Sequence, residues 1–164
     1  MLRSKRVDRP LSPRAEASRL VTALTALFEG WLLFEQVRSL PGLAEAFRFA
    51  DALALNPEPT GWILDGFEAK RTRVDWTHEL SQPEKSAPFR LWCRHWWLVV
   101  PAPWKKVVLT LEELPDLWGL IEVEGARARV VVQAGEHYGP ALSEEVKSSL
   151  VYALGRREIG RAHV

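Results

Sequence analysis

The chain has 164 residues, 47% apolar and 26% charged, with a formal net charge of +1. That suits one domain with a proper core, is too short for two ordinary ones, and excludes a disordered or fibrous protein. No apolar run approaches the length of a membrane span, and the basic N-terminus lacks the apolar core of a signal peptide. The single cysteine, Cys93, excludes an intramolecular disulfide and a cysteine-based zinc site, so a cytoplasmic setting is expected.

The small net charge hides an uneven distribution. Arg3, Lys5, Arg6, Arg9 and Arg14 face only Asp8 at the N-terminus, and Arg156, Arg157 and Arg161 face Glu158 at the other end. The division expected is a loosely ordered basic arm over residues 1–13, a single domain over 14–157, and a tail over 158–164. The chain has one Asn, three Gln, one Cys and one Met. Such scarcity of thermolabile residues fits a thermophilic source, although a GC-rich genome would produce part of the same bias.

In chain order, apolar positions recur at helical spacing from Arg14 to Phe28, with Ser12 as cap, Pro13 in the first turn and Gly30 as terminator. Residues 31–39 read as a strand, and a second strand is expected over 47–55, followed by a turn at 56–61. Residues 62–70, WILDGFEAK, form the next strand. A mostly helical stretch interrupted near Pro83 and Pro88 leads to the apolar strand 95–101, HWWLVVP. A turn or short helix at 111–119 precedes strands at 120–125 and 126–133. Ser143 then caps a closing helix over 143–157, with Glu144 and Glu145 in its first turn. The order is αβββαβββα, in the α/β class.

Glu68 and Lys70 stand two apart at the end of an apolar strand, so they share a face, while Asp65, Phe67 and Ala69 point the other way. A strand end surfacing into solvent would account for such a pair. Asp51 lies in the strand before and converges on Glu68 if the two strands pair. Two carboxylates, a backbone carbonyl and waters suit Mg²⁺ or Mn²⁺, and a lysine beside such an ion can orient or deprotonate an attacking water. Lys70, Arg71 and Arg73 make a third basic cluster here, which suits a polyanionic substrate.

Asp51 followed by Glu68-Ala69-Lys70 resembles the PD-(D/E)xK nuclease superfamily, which includes Holliday junction resolvases and many restriction enzymes. The blocks Phe49-Ala50-Asp51-Ala52, Gly66-Phe67-Glu68-Ala69-Lys70, Arg73-Val74-Asp75-Trp76, Pro83-Glu84-Lys85, Trp96 to Pro101 and Leu114 to Leu120 are similar, in order, to those of MmcB-like DNA repair and phage-encoded proteins. The resemblance covers roughly residues 31–123. It implies a restriction-endonuclease-like core, a central mixed sheet flanked by helices with the site at one sheet edge. It also implies catalysis by Asp51, Glu68 and Lys70, with Asp51 and Glu68 as metal ligands. Glu16, in the first helix, and Glu35 occupy places where relatives carry an additional acid; Glu16 is equally an ordinary first-turn glutamate. Arg48, Arg71 and Arg73 become candidates for DNA phosphates. Asp75 and Trp76 would support the site, and Arg73 with Asp75 could equally brace the loop. The chain departs from the pattern where Phe49 follows Arg48 instead of a second basic residue, at Val74, and at Ala69.

The function expected from these residues is metal-dependent hydrolysis of DNA in repair, recombination or phage DNA processing, within a bacterial, archaeal or phage-infected cell. A symmetric dimer would present two sites to two strands. The alternative is a catalytically weak protein of the same fold that serves as a nucleic-acid-binding or assembly module. Most of the eight tryptophans are expected in the core, Cys93 as a buried thiol, and His78 and His137 lack the spacing of a zinc site.

Overall fold

The computed structural model describes residues 11–35, 50–59 and 61–152. Helix α1 (Pro13–Thr25) begins where Ser12 Oγ accepts the Ala15 N–H at 3.2 Å, with Pro13 supplying a first-turn φ that needs no N–H. Six strands follow: β1 (Leu32–Glu35), β2 (Ala52–Glu58), β3 (Gly61–Ala69), β4 (His95–Pro101), β5 (Trp118–Glu124) and β6 (Arg127–Val132). They lie side by side in sequence order. β1, β2 and β3 pair antiparallel, β3, β4 and β5 parallel, and β5 and β6 antiparallel. The protein is therefore α/β with a six-stranded mixed sheet.

A parallel pair needs a crossover, and residues 70–94 supply it between β3 and β4. They form α2 (Arg73–Leu80), a 3-10 turn (Pro83–Lys85) and α3 (Ala87–Arg90). Two further 3-10 turns (Trp104–Lys106 and Leu111–Glu113) connect β4 to β5. A last helix, α4, spans residues 144–152, and Ser143 Oγ accepts the Val146 N–H at 3.2 Å. The order αβββαβββα thus stands, with α3 and the 3-10 turns interposed.

Alternation along the strands builds two cores. Leu53, Leu55, Leu64, Trp96, Leu98 and Leu120 pack with Trp76 of α2 and with Val146 and Leu150 of α4. On the other face Ala52, Ala54, Phe67, Trp97, Val99 and Ile121 pack with Val21, Leu24 and Phe28 from α1 and the turn after it. The sheet is a layer between α2 and α4 on one side and α1 on the other.

The second strand is displaced from its predicted place at 47–55. β2 runs on through Asn56, Pro57 and Glu58, which pair with Ile63, Trp62 and Gly61. Its partner β1 reaches only to Leu55, so residues 56–58 form an edge where proline costs no ladder bond. A tight hairpin replaces the predicted six-residue turn, and Gly61 enters β3 with φ 148°. β1 occupies Leu32–Glu35 of the predicted 31–39, and residues 36–49 lie outside the described residues, as do 1–10 and 153–164.

Trp96 and Trp97 project to opposite faces of β4, and each ring lies on a glycine of a neighbouring strand. Trp96 is in register with Gly66 of β3, and Trp97 with Gly119 of β5. A Cβ at either glycine would overlap the indole. Gly66→Ala should therefore destabilise the fold by about 1–3 kcal/mol through overpacking, read as a lower urea midpoint at unchanged slope. An unaltered midpoint would mean that Trp96 repacks freely.

Candidate active site

The C-terminal end of β3 gathers the charged groups that the sequence singles out. Asp51 stands just before β2, where its N–H donates to the Phe67 carbonyl at 3.0 Å and extends the ladder. Its Oδ2 accepts the Ala69 N–H at 2.8 Å, which fixes the carboxylate beside the Glu68-Ala69-Lys70 segment. Beyond β3, the Lys70 N–H donates to the Val99 carbonyl of β4 at 3.0 Å. β3 is an interior strand, so the cluster sits at a strand end rather than on an edge strand.

Glu68 is 6% exposed and lies on the face covered by α2. Its Oε1 receives the Lys70 ammonium at 2.7 Å, while its Oε2 is buried without a hydrogen-bond partner. Burial, with the charge of Asp51 adding to it, pushes the Glu68 carboxyl up to about 8 despite the opposing pull of Lys70. Lys70 is affected differently. Burial acts to lower its pKa, but Glu68 and then Glu79 outweigh it, so Lys70 is held firmly as the ammonium.

Glu79 is a member of this cluster that the sequence reading missed. It lies on α2, three residues after the fully buried Trp76, so the two share the face turned to the sheet. Its Oε2 is 3.0 Å from the Lys70 ammonium, which is therefore clamped between two glutamates. The one signal available was this i, i+3 spacing from a large apolar residue, which marks an inward-facing position.

The remaining candidates are dispersed. Glu35 accepts a hydrogen bond from Ser18 Oγ of α1 at 3.2 Å, on the opposite face of the sheet from Glu68. Glu16 falls in α1, its side chain outside the described residues, as is the whole of Arg48. Arg71 is exposed just after Lys70. Arg73 donates to the Val107 carbonyl at 3.2 Å and forms an ion pair with Glu113, which also accepts the Trp76 indole N–H at 3.2 Å. Arg73 and Trp76 thus fix α2 to the 3-10 turn at 111–113, and Arg73 holds the Glu113 carboxyl below the usual range. Asp75 is exposed in the first turn of α2. Asp65 lies on the α1 face, as strand alternation requires, accepting from Trp97 Nε1 at 3.0 Å and contacting His95 Nδ1 at 2.9 Å. Among the described residues no group of three or more His, Cys, Asp or Glu side chains is arranged to hold a metal ion.

This architecture is similar to that of a solved structure, the SPO1766 protein of unknown function from Silicibacter pomeroyi. The likeness covers 94% of this chain and 91% of that one, at 20% identity and a TM-score of 0.59. It concerns the fold alone. No protein family and no curated protein matches the chain.

Two expectations follow from the clamp. Because the folded protein holds Glu68 near 8 against an ordinary 4.5, the folded state binds the extra proton between those values. The Glu68 contribution is full below pH 4.5 and lost as pH rises through about 8. Glu68→Gln, which cannot ionise, should flatten this part of a pH–stability curve measured by urea denaturation. A slope identical to wild type would assign the titration to another group. Glu79→Gln removes one of the two charges that hold Lys70 protonated, so the Lys70 ammonium should titrate at lower pH, read from its side-chain carbon shifts by NMR.

Proposed function

We propose that this chain is a metal-dependent nuclease of the PD-(D/E)xK type, with a restriction-endonuclease-like core, that hydrolyses DNA phosphodiester bonds through Asp51, Glu68 and Lys70. The observation that carries this reading is the buried, unpartnered Oε2 of Glu68, beside Asp51 and across its own carboxyl group from the Lys70 ammonium. A buried carboxylate oxygen without a donor is costly, by about 1–3 kcal/mol or more.

A hard divalent cation fits the donor set. Mg²⁺ keeps several of its waters and takes only one or two protein carboxylates, so Asp51 and Glu68 suffice without a third acid. Such an ion, when bound, supplies Lewis-acid stabilisation and a more acidic water. Asp51 and Glu68 would hold it. Lys70, kept protonated by its two glutamates, is suited to orienting the water and to meeting negative charge that develops on the phosphate, and unsuited to removing a proton. Glu79 positions Lys70. Arg71, exposed beside the site, is a candidate phosphate contact, and Arg73 is engaged by Glu113 and the Val107 carbonyl. The function is sought in repair, recombination or phage DNA processing, and a homodimer would serve two strands.

The second reading is a nucleic-acid-binding or assembly module with little catalysis. The observation that favours it is the same clamp, because an ammonium already held between two carboxyl groups can be a purely structural charge cluster.

The test is cleavage of labelled single-stranded, duplex, flap and four-way-junction DNA with Mg²⁺ or Mn²⁺, alongside thermal denaturation with and without the ion. Wild type should cleave at least one substrate, and Glu68→Ala and Lys70→Ala should each lose activity by ~10²-fold or more. The ion should stabilise wild type by about 2.7 kcal/mol at a hundredfold excess over its dissociation constant, and Glu68→Ala not at all. DNA binding without cleavage, and without stabilisation by either ion, would replace the nuclease with the binding module.

A further inference from the structure

A cavity of about 240 Å³ lies at the other end of the parallel strands, where the chain enters β4 and β5. Its lining includes Arg90, Arg94, Asp116, Leu117, Trp118 and His137. It lies on the α2 side of the sheet, since Trp96 and Trp118, both in its lining, belong to the core that Trp76 completes. None of the proposed catalytic residues contributes to it.

Arg90 is the unusual member. Burial acts to lower its pKa, and the charge of Glu79 only partly offsets this. Its Nη2 donates to the Pro83 carbonyl at 3.2 Å, and its guanidinium carbon lies 5.4 Å from the centroid of the Trp118 ring. Yet its Nε is buried without an acceptor, and so is the indole Nε1 of Trp118, which is itself 6% exposed. Two residues that line one cavity therefore each carry a buried donor without an acceptor, and both side chains would gain from turning toward a group that brings oxygen atoms.

The charge of the lining narrows the choice. Two guanidiniums, which stay charged at any ordinary pH, stand against the single carboxylate of Asp116, which is exposed. Arginine's planar fork matches tetrahedral oxyanions in two-point contacts, and two such groups suit a dianion better than a carboxylate. The cavity is smaller than the roughly 300–1,000 Å³ of sites for drug-sized ligands, so the deep part takes a compact group. Leu91 and Leu117 are 46% and 53% exposed in its lining, apolar surface for whatever the anion carries.

We propose that this cavity binds a terminal phosphate, the phosphate monoester of a nucleotide or of a nucleic-acid strand end. The site is separate from the Lys70 cluster and does not rest on the cleavage reading.

The experiment follows the Arg90 Nε–H and Trp118 Nε1–H resonances by NMR in the intact chain. The additions are inorganic phosphate, a deoxynucleoside 5′-monophosphate, the nucleoside without phosphate, acetate, and a short single strand with or without a 5′-phosphate. Both resonances should shift and saturate with phosphate and with the monophosphate, but not with nucleoside or acetate. Arg94→Gln, whose fold the same spectra verify, should weaken monophosphate binding roughly tenfold. Tighter binding of the phosphorylated strand would identify a strand end as the source, and tighter binding of the mononucleotide a free nucleotide; either supports the site. Absence of saturable shifts up to ~10 mM, equal shifts with the nucleoside, or undiminished binding by Arg94→Gln would overturn it.

Discussion

The sheet is organised around the two tryptophans at the start of β4. Trp96 and Trp97 point to opposite faces, and each needs a glycine on the adjacent strand to lie flat against the sheet: Gly66 on one side and Gly119 on the other. One strand thereby anchors both cores, with Trp96 buried among the residues beneath α2 and α4 and Trp97 among those beneath α1. Asp65 adds a direction to this packing by accepting the Trp97 indole N–H at 3.0 Å, so the ring has one favoured orientation. β3 is consequently fixed at residues 65 and 66. Glu68 follows two positions beyond Gly66 and is carried into the same buried face, where a carboxylate has little access to water.

Such a position would be unfavourable for an acid alone. Here the Lys70 ammonium meets it at 2.7 Å and is itself held by Glu79 of α2 at 3.0 Å, while burial keeps the Glu68 carboxyl pushed up to about 8. The helix is itself aligned from a distance. Glu113 accepts from Arg73 in the first turn of α2 and from the indole of Trp76 one turn later, so a residue between β4 and β5 sets the helix that presents Glu79. Glu113 thus acts through α2 and Glu79 on the ammonium of Lys70, without touching it.

Much of this was legible in sequence because it depends on local pattern. Helical spacing with Ser12 and Pro13 marks α1, and Ser143 marks α4. The unbroken apolar run of β4 marks a strand buried on both faces. Strand alternation alone separates Glu68 from Asp65, and the structure puts them on opposite faces. What failed was information held by neighbours. Pro57 reads as a strand breaker, but β1 ends opposite Leu55, which leaves Pro57 on an edge where it fits. Glu79 looks like any polar residue of a short helix until the strand beneath it is known. Arg73 reads equally as a phosphate contact or as a brace for the loop, because the acid it meets, Glu113, lies forty residues away in sequence.

The same geometry sets a condition on the proposed chemistry. With Glu68 protonated, the formal charges of Asp51, Glu79 and Lys70 sum to −1, and ionisation of Glu68 takes the cluster to −2 in a nearly dry setting. The raised value of about 8 for Glu68 expresses how unfavourable that last ionisation is. A divalent cation would neutralise the ionised cluster, so proton and cation compete for one carboxylate. On the proposed reading, metal affinity would then rise with pH until Glu68 is fully ionised. Lys70 tempers this competition by holding one oxygen of Glu68, which leaves Oε2 as the atom available to a cation. A lysine fixed in this way lowers the net charge that an ion must offset and weakens the attraction for it, at the same site and for the same reason.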